Sequence, residues 1–587
     1  MINRRNLLKA LAATGIGTTV FHRAVVAMAN QDREFDKTAL QQAAWVTDME
    51  LSDEDAESIL ASVEDNTKNF QALRKNDLTA DIGPASHFQT LPSGKPTINK
   101  VARNAVPVES VSGQLPTSDE EIAFLPVTEL SALIRDKKIT SKRLTEIYLK
   151  RIEKYAPMLR CVVTATTDLA MKQAERADSE IAAGTYRGPL HGIPWGAKDL
   201  IDVPGYPTTW GIPHYKERVV ENTATVAERL EAAGAVLVAK TSLGALAMGD
   251  MWFEGKTRNP WNPETGSSGS SAGSASGTVA GLFGFSLGSE TLGSITSPAK
   301  RCGASGFRPT FGRVSRHGCM PLSWTMDKIG PICRSAEDCA LVFDAIHGSD
   351  GKDMTARNFD FQWPADVETR GLKVGYTKGR RGIEKRPDLM LMKELGCELV
   401  EIELPRTIPV QTLANVIDVE AASVFDQLLR EDETEGWNAW PGIFRSAQFI
   451  SAIDYLRMMR LRSILMQEFE EMMSGVDLLC NVYDIFHTNL TGHPSLVIPR
   501  DYRDINSSDE DSEDDDPIGK RLLHITLTGQ LNDDRTVLAV GRACQQKLDA
   551  HLKRPPLDQW LTKLEADEAD QKSEADQKSE EEGGEKK

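Results

Sequence analysis

Two stretches combine hydroxyls and glycines in a way that could support nucleophilic chemistry. Residues 266–277 read Gly-Ser-Ser-Gly-Ser-Ser-Ala-Gly-Ser-Ala-Ser-Gly, and residues 288–296 read Gly-Ser-Glu-Thr-Leu-Gly-Ser-Ile-Thr. Between them, Val279 to Leu287 is almost entirely apolar, which suits a flexible linker poorly. Glycines permit close backbone approach and let N–H groups converge on an anion, while serines supply hydroxyls. A hydroxyl needs a base. Histidine is the usual one, yet none of the ten histidines lies within 266–296. Lys198 stands in His191-Gly-Ile-Pro-Trp-Gly-Ala-Lys198-Asp199, between small residues and Leu200-Ile201. Burial disfavours the charged form of a lysine, and a neutral lysine can take a proton from serine. Lysines are almost never fully buried, so a surface role for Lys198 stays open on these grounds.

Several motifs taken together resemble the amidase signature family. They are Gly269-Ser270-Ser271-Ala272-Gly273-Ser274, then Ser294 twenty-four residues later, and Lys198-Asp199 upstream. Asn259-Pro-Trp-Asn-Pro263, Arg308-Pro-Thr-Phe-Gly-Arg313, Asp327 with Gly330-Pro331, and Asn489-Leu-Thr-Gly-His-Pro494 extend the match. It covers roughly 123–345 strongly and 475–555 more loosely. The resemblance implies an α/β fold with a large mixed, twisted sheet covered by helices on both sides. It also implies a Ser–cis-Ser–Lys triad for hydrolysing an amide bond. Ser294 matches the nucleophile, Ser270 the bridging serine whose preceding peptide is cis, and Lys198 the base. The backbone N–H groups of Thr291, Leu292, Gly293 and Ser294 would receive the oxyanion. Ser271 and Asp199 would orient Ser270 and Lys198, or simply bind their local loops. Four positions depart from the family pattern: Glu290 for aspartate, Leu292 and Ala272 for glycines, and Thr296 for an arginine. The triad is intact, so the departures bear on specificity.

Other chemistries fit less well. Gly269-Ser-Ser-Ala-Gly273 matches the nucleophile elbow of α/β-hydrolases, but that motif needs a strand before it. Residues 258–266 carry two prolines and cannot form a central strand. Ser297-Pro-Ala-Lys300 and Lys240-Thr-Ser242 suggest a penicillin-binding-like acyl enzyme, but their order is reversed and no Ser-Asp-Asn element accompanies them. Two further alternatives keep the family fold. One is the glutamine-hydrolysing A-type component of an amidotransferase, the other a catalytically inactive scaffold. No H-E-x-x-H, dinucleotide fingerprint, P-loop or C-x-x-C occurs, so neither metal nor organic cofactor is expected.

The elements that must position these residues read as α/β. Leu130, Leu133, Ile134 and then Leu144, Ile147, Tyr148 and Ile152 recur at helical spacing. Val236-Leu-Val-Ala239 follows Gly234 as a buried strand after a helix over 227–233. Ser52 before Asp53-Glu-Asp55 is a helix start. Residues 350–475 are least like the family and are expected to shape the substrate pocket. Their aromatics and methionines (Trp437, Trp440, Phe444, Phe449, Tyr455, Met458, Met459) favour a core role. The eight scattered cysteines are expected to be free and buried.

Charge sharpens the boundaries. The chain has 587 residues and a net charge of −18. Residues 504–517 hold eight acids and no base, and 564–587 hold ten acids and four lysines. Both read as solvated additions around a folded body. Such a balance argues against nucleic-acid binding. The first residues run Arg4-Arg5-Asn-Leu-Leu-Lys9, then an apolar stretch to Phe21, then Ala27-Met-Ala29. This is signal-peptide order, of twin-arginine type. The expected plan is a signal at 1–29, an accessory segment and linker at 30–120, an amidase domain at 121–563 with the acidic insertion 504–517, and a disordered acidic tail at 564–587. The expected setting is bacterial, periplasmic or secreted. The expected partner is a small-molecule amide. No nucleic acid and no stable membrane insertion after cleavage are expected, and a homodimer stays open.

Overall fold

A computed structural model of the chain describes residues 36–76, 78, 82–86, 114–365, 367–379, 382–504, 520–564 and 566. The expected signal at 1–29, most of the linker, the acidic insertion beyond Asp504 and nearly all of the acidic tail lie outside the described residues.

Eleven strands form one sheet. They are β1 (Val162–Ala165), β2 (Pro194–Lys198), β3 (Val236–Thr241), β4 (Phe285–Glu290), β5 (Ser305–Arg308), β6 (Lys328–Cys333), β7 (Lys373–Thr377), β8 (Glu398–Ile402), β9 (Leu478–Cys480), β10 (Ser495–Asp504) and β11 (Lys520–Gly529). Their order is β1-β3-β2-β4-β6-β5-β10-β11-β9-β7-β8. The sheet is mixed, as expected. β2 runs parallel to both β3 and β4, whereas β4 and β6 are antiparallel. Every residue of β2, β3 and β6 is buried, so this part of the sheet is covered on both faces. Alternation along β3 shows the two cores. Leu237 faces the main cluster with Trp195 and Phe285, while Val236 and Val238 face a second one with Ile152, Leu159 and Phe283.

The helices fall where the sequence places them. Val127–Arg135 and Ser141–Leu159 bury Leu130, Leu133, Ile134, Leu144, Ile147, Tyr148 and Ile152. Ser52 caps Asp53–Leu73, accepting from the Asp55 amide at 3.0 Å. A short helix, Asp119–Ala123, lies across the expected boundary between linker and domain at 120, opened by a capping box between Ser118 and Glu121. The region 416–473 is mostly helical. It buries Trp437, Trp440, Phe444, Met458 and Met459 in the core, while Phe449 and Tyr455 pack against core clusters from partly buried positions. All eight cysteines are free and all but Cys319 are buried. Burial pushes the Cys161 thiol up to about 12, so it stays an unreactive thiol. No helix among the described residues is long and apolar enough to cross a membrane.

Candidate active site

The parallel strands β2 and β4 end side by side, and ligand sites in such sheets form beyond the carboxyl ends of strands. Ala197 pairs with Leu287. Lys198, one residue on, therefore lies close to Ser289. The lysine is fully buried. Its Nζ lies 2.9 Å from Ser289 Oγ, 3.1 Å from Ser271 Oγ and 2.8 Å from Ser270 Oγ. Among the described residues, no carboxylate touches it directly. Burial lowers its pKa to about 7, and the more distant charges of Asp327 and Glu290 only partly offset this. The surface reading of Lys198 is thus excluded.

Ser270 follows a cis peptide bond from Gly269. Gly269 is required by close approach, because a Cβ there would lie 1.8 Å from the Gly249 carbonyl oxygen. The Ser271 amide donates to the Ser294 carbonyl at 3.1 Å, tying the two serine segments together. The Ser271 hydroxyl donates to the Ser289 carbonyl at 3.1 Å, so it receives a hydrogen bond from Lys198. A neutral amine has two N–H donors and one lone pair. With Ser271 and Ser289 receiving the donors, the lone pair is left for the Ser270 proton.

The rest of the glycine- and serine-rich run does something other than bind an anion. Ala272–Val279 is a helix with every residue buried. Its hydroxyls are used internally: Ser274 donates to the Leu287 carbonyl, and Ser276 to the Arg258 carbonyl. Small side chains let this helix sit close against the sheet. A Cβ on Gly277 would press to 2.5 Å from the Phe283 ring.

The turn after β4 carries the second stretch. Gly293 adopts φ +92°, the left-handed region that suits glycine. The amides of Leu292, Gly293 and Ser294 have no acceptor among the described residues. The next two do: Ile295 and Thr296 both donate to Glu290 Oε2 at 2.9 Å. Glu290 Oε1 accepts from Arg308 at 2.7 Å and from Asn489 at 3.0 Å. Burial opposes ionisation of Glu290, but Arg308 and the hydrogen bonds hold its pKa at about 2. The carboxylate therefore clamps the turn from inside. Leu292 needs no unusual backbone: it has no positive φ, and its side chain packs on the main core. A leucine is therefore accommodated where the family pattern has glycine. Thr291 Oγ1 donates to the buried Asp327 at 2.6 Å.

Asp199 turns away from Lys198. Its carboxylate pairs with the fully buried Lys240 at 2.6 Å and accepts from the Thr209 amide at 2.9 Å. Of the two residues read as orienting the pair, only Ser271 touches Lys198. The residues that sequence reasoning missed are Ser289, which binds Lys198, and Glu290, which binds the turn. Ser289 lies in a motif already singled out, but only the strand register reveals that it faces Lys198.

The competing motifs dissolve. The residues before Ser270 form only a two-stranded ribbon of Arg258–Asn259 with Asn262–Gly266, outside the main sheet. Ser271 is fully buried, unlike the exposed serine of a nucleophile elbow. Lys240 is committed to Asp199. Among the described residues, no group of acidic, histidine and cysteine side chains could hold a metal ion.

A cavity of about 350 Å³ opens beside this turn, lined by Ser289, Thr291, Met320, Leu322 and Trp324 among others. The expectation that 350–475 shapes the pocket is corrected here. That region supplies only Lys352 and Asp353 to the lining, and most of the rest comes from 316–329.

The family described as Amidase matches residues 143–481. The chain belongs to the amidase family. An amidase is a hydrolase of amide carbon–nitrogen bonds, and Lys198, Ser270 and Ser294 all lie in the matched span. The amidase is 30% identical over 503 residues to the A-type component of the glutamyl-tRNA(Gln) amidotransferase of Carboxydothermus hydrogenoformans, covering 74% of this chain and all of that one. It is 31% identical over 502 residues to the same component from Chloroflexus aurantiacus, covering 74% and 99%. Its fold superposes on the native peptide amidase of Stenotrophomonas maltophilia with a TM-score of 0.63 and 25% identity, over 73% of this chain and 98% of that one. A bacterial aryl acylamidase of the amidase signature family shares the fold, with a TM-score of 0.63 at 22% identity, over 74% and all of the two chains.

Proposed function

We propose that this amidase hydrolyses a small-molecule amide through Lys198, Ser270 and Ser294 and an acyl-enzyme intermediate. The observation that carries this reading is the fully buried Lys198, with a pKa of about 7 and hydrogen-bonded to Ser270. Neutral Lys198 takes the Ser270 proton as Ser270 takes that of Ser294. Ser294 Oγ attacks the carbonyl carbon, and the free amides of Leu292, Gly293 and Ser294 bind the developing oxyanion. Return of the proton through Ser270 to the nitrogen releases the amine and leaves an ester on Ser294. Water then adds to that ester by the same route, releases the acid and restores the serine. A fluorophosphonate probe, with peptide mapping of the labelled residue, tests this assignment. Labelling of Ser294 in wild type and its loss in Ser294→Ala is the expected result. A folded protein that is never labelled would make it an inactive scaffold.

A second reading is a glutamine-hydrolysing component of an amidotransferase, favoured by the names of the relatives at 30–31% identity. Amide hydrolysis by the purified chain alone, with no dependence on added tRNA, would reject it. We also read residues 1–29 as an export signal, from the order of charge, apolar stretch and Ala27-Met-Ala29. Periplasmic recovery of a fused reporter, abolished by Arg4→Lys with Arg5→Lys, tests that reading. Sizing of the purified protein by light scattering decides between monomer and homodimer.

A further inference from the structure

The cavity wall at 321–327 is held by a set of side-chain hydrogen bonds. The Ser323 hydroxyl donates to Glu420 Oε2 at 2.5 Å, and the Thr325 amide and hydroxyl donate to the same carboxylate at 3.2 and 2.9 Å. Tyr455 donates to Glu420 Oε1 at 2.8 Å from a neighbouring helix. Arg462 donates to the Thr325 hydroxyl and carbonyl, each at 2.8 Å. Arg316 donates to the Trp324 carbonyl at 2.7 Å. Asp327 accepts from the Leu322 and Ser323 amides at 2.8 and 2.9 Å, and also binds Thr291 of the proposed oxyanion turn. Ser323 and Thr325 therefore point their side chains toward the helices of 416–473. Leu322 and Trp324, alternating with them, line the cavity. Trp324 is 47% exposed, an unusual state for the largest apolar side chain on a turn otherwise so firmly fixed. A hydrogen-bonded turn that presents a half-exposed indole to a cavity is preorganised to stack a ligand.

We infer that Trp324 is a specificity-determining residue, which presents its indole to a flat apolar group of the amide, and that Glu420 and Arg462 position it from the helices behind. The substrate class is accordingly an amide with an aryl group on the acyl or the amine side. Met320 and Leu322 line the same cavity as Trp324 and Thr291, so a ring stacked on Trp324 shares that cavity with the turn. Glu420 touches no substrate in this scheme; it acts through Ser323 and Thr325. The inference rests on Ser294 being the reacting centre.

The test compares benzamide, acetanilide and acetamide as substrates of the full chain. In wild type, the better of the two aryl amides exceeds acetamide in kcat/KM. Trp324→Ala lowers that aryl value roughly ten-fold, through KM, and leaves acetamide within about two-fold. Trp324→Phe restores most of the loss. Glu420→Gln lowers the aryl value in the same direction by a smaller factor, with labelling of Ser294 by a small fluorophosphonate unchanged in rate. Equal loss for all three substrates in Trp324→Ala, or none, would overturn the inference while normal labelling of Ser294 keeps the reaction centre. An unlabelled, inactive wild type would overturn the centre, and this inference with it.

Discussion

Lys198 and Lys240 are two fully buried lysines on neighbouring parallel strands, and they do opposite things. Ala197 pairs with Lys240 and Lys198 with Thr241, so the two side chains start one register step apart. Lys240 meets a carboxylate, Asp199, at 2.6 Å, together with the Thr208 hydroxyl at 2.9 Å. Among the described residues, Lys198 meets only hydroxyls and one carbonyl. An opposite charge in contact restores the cost of burying an ammonium, whereas hydroxyl dipoles restore only part of it. Burial with no carboxylate in contact among the described residues is what suits Lys198 to the proposed role of base.

The comparison predicts contrasting losses. Lys198→Ala and Ser294→Ala each lower kcat/KM by about 10⁴-fold or more, with circular dichroism and melting close to wild type. Equal activity in wild type and Lys198→Ala would remove the base from the mechanism. Lys240→Met instead leaves Asp199 buried and unpaired, and urea unfolding should show a loss of about 3–5 kcal/mol. If the two variants exchanged phenotypes, the contrast drawn from their partners would be wrong.

The turn offers the next largest effect. Glu290→Gln removes the negative charge that gathers two amides and Arg308, and kcat falls by about 10²-fold with KM little changed. A rise in KM with kcat unchanged would place Glu290 outside the oxyanion geometry.

Proton linkage gives a further test of Lys198. The Lys198 pKa of about 7 lies below its unfolded value of 10.5. The base works when neutral, so kcat/KM rises about ten-fold per pH unit below 7 and levels off above it. Between those two limits the unfolded chain binds the extra proton, so stability rises with pH from about 7 to 10.5. Urea midpoints of wild type minus Lys198→Met across this window should follow that slope; a flat difference would contradict it. The smallest effect is expected at Leu292. Leu292→Gly keeps activity within about three-fold and costs about 1–2 kcal/mol of stability, measured by thermal melting, because its side chain packs on the core and its amide does not depend on it.

Much of the site is legible without coordinates. Lys198, Ser270 and Ser294 are named by the resemblance to the amidase signature family, and Gly293 by its place in the turn. Asp199 misleads, because adjacency in sequence suggests adjacency in function. On a strand, successive side chains point to opposite faces, and that alternation sends Asp199 to Lys240. Ser289 escapes notice because a serine among serines has no signal of its own. The glycine- and serine-rich run has a clear composition but an ambiguous meaning. Most of it packs a helix against the sheet, whereas Ser270 and Ser271 contact Lys198.

The sequence by itself determined the family, the mixed α/β architecture and the three candidate reacting side chains. The helix–strand alternation follows from local patterns, and the mixed sheet and the three side chains from the resemblance of several motifs to the family. Only the tertiary structure decided that Lys198 is buried without a carboxylate in contact, that Glu290 clamps the turn, and that the cavity wall comes from 316–329. Each of those depends on which strands lie side by side and which buried charges meet, and strand order is a long-range choice that no local window of sequence contains.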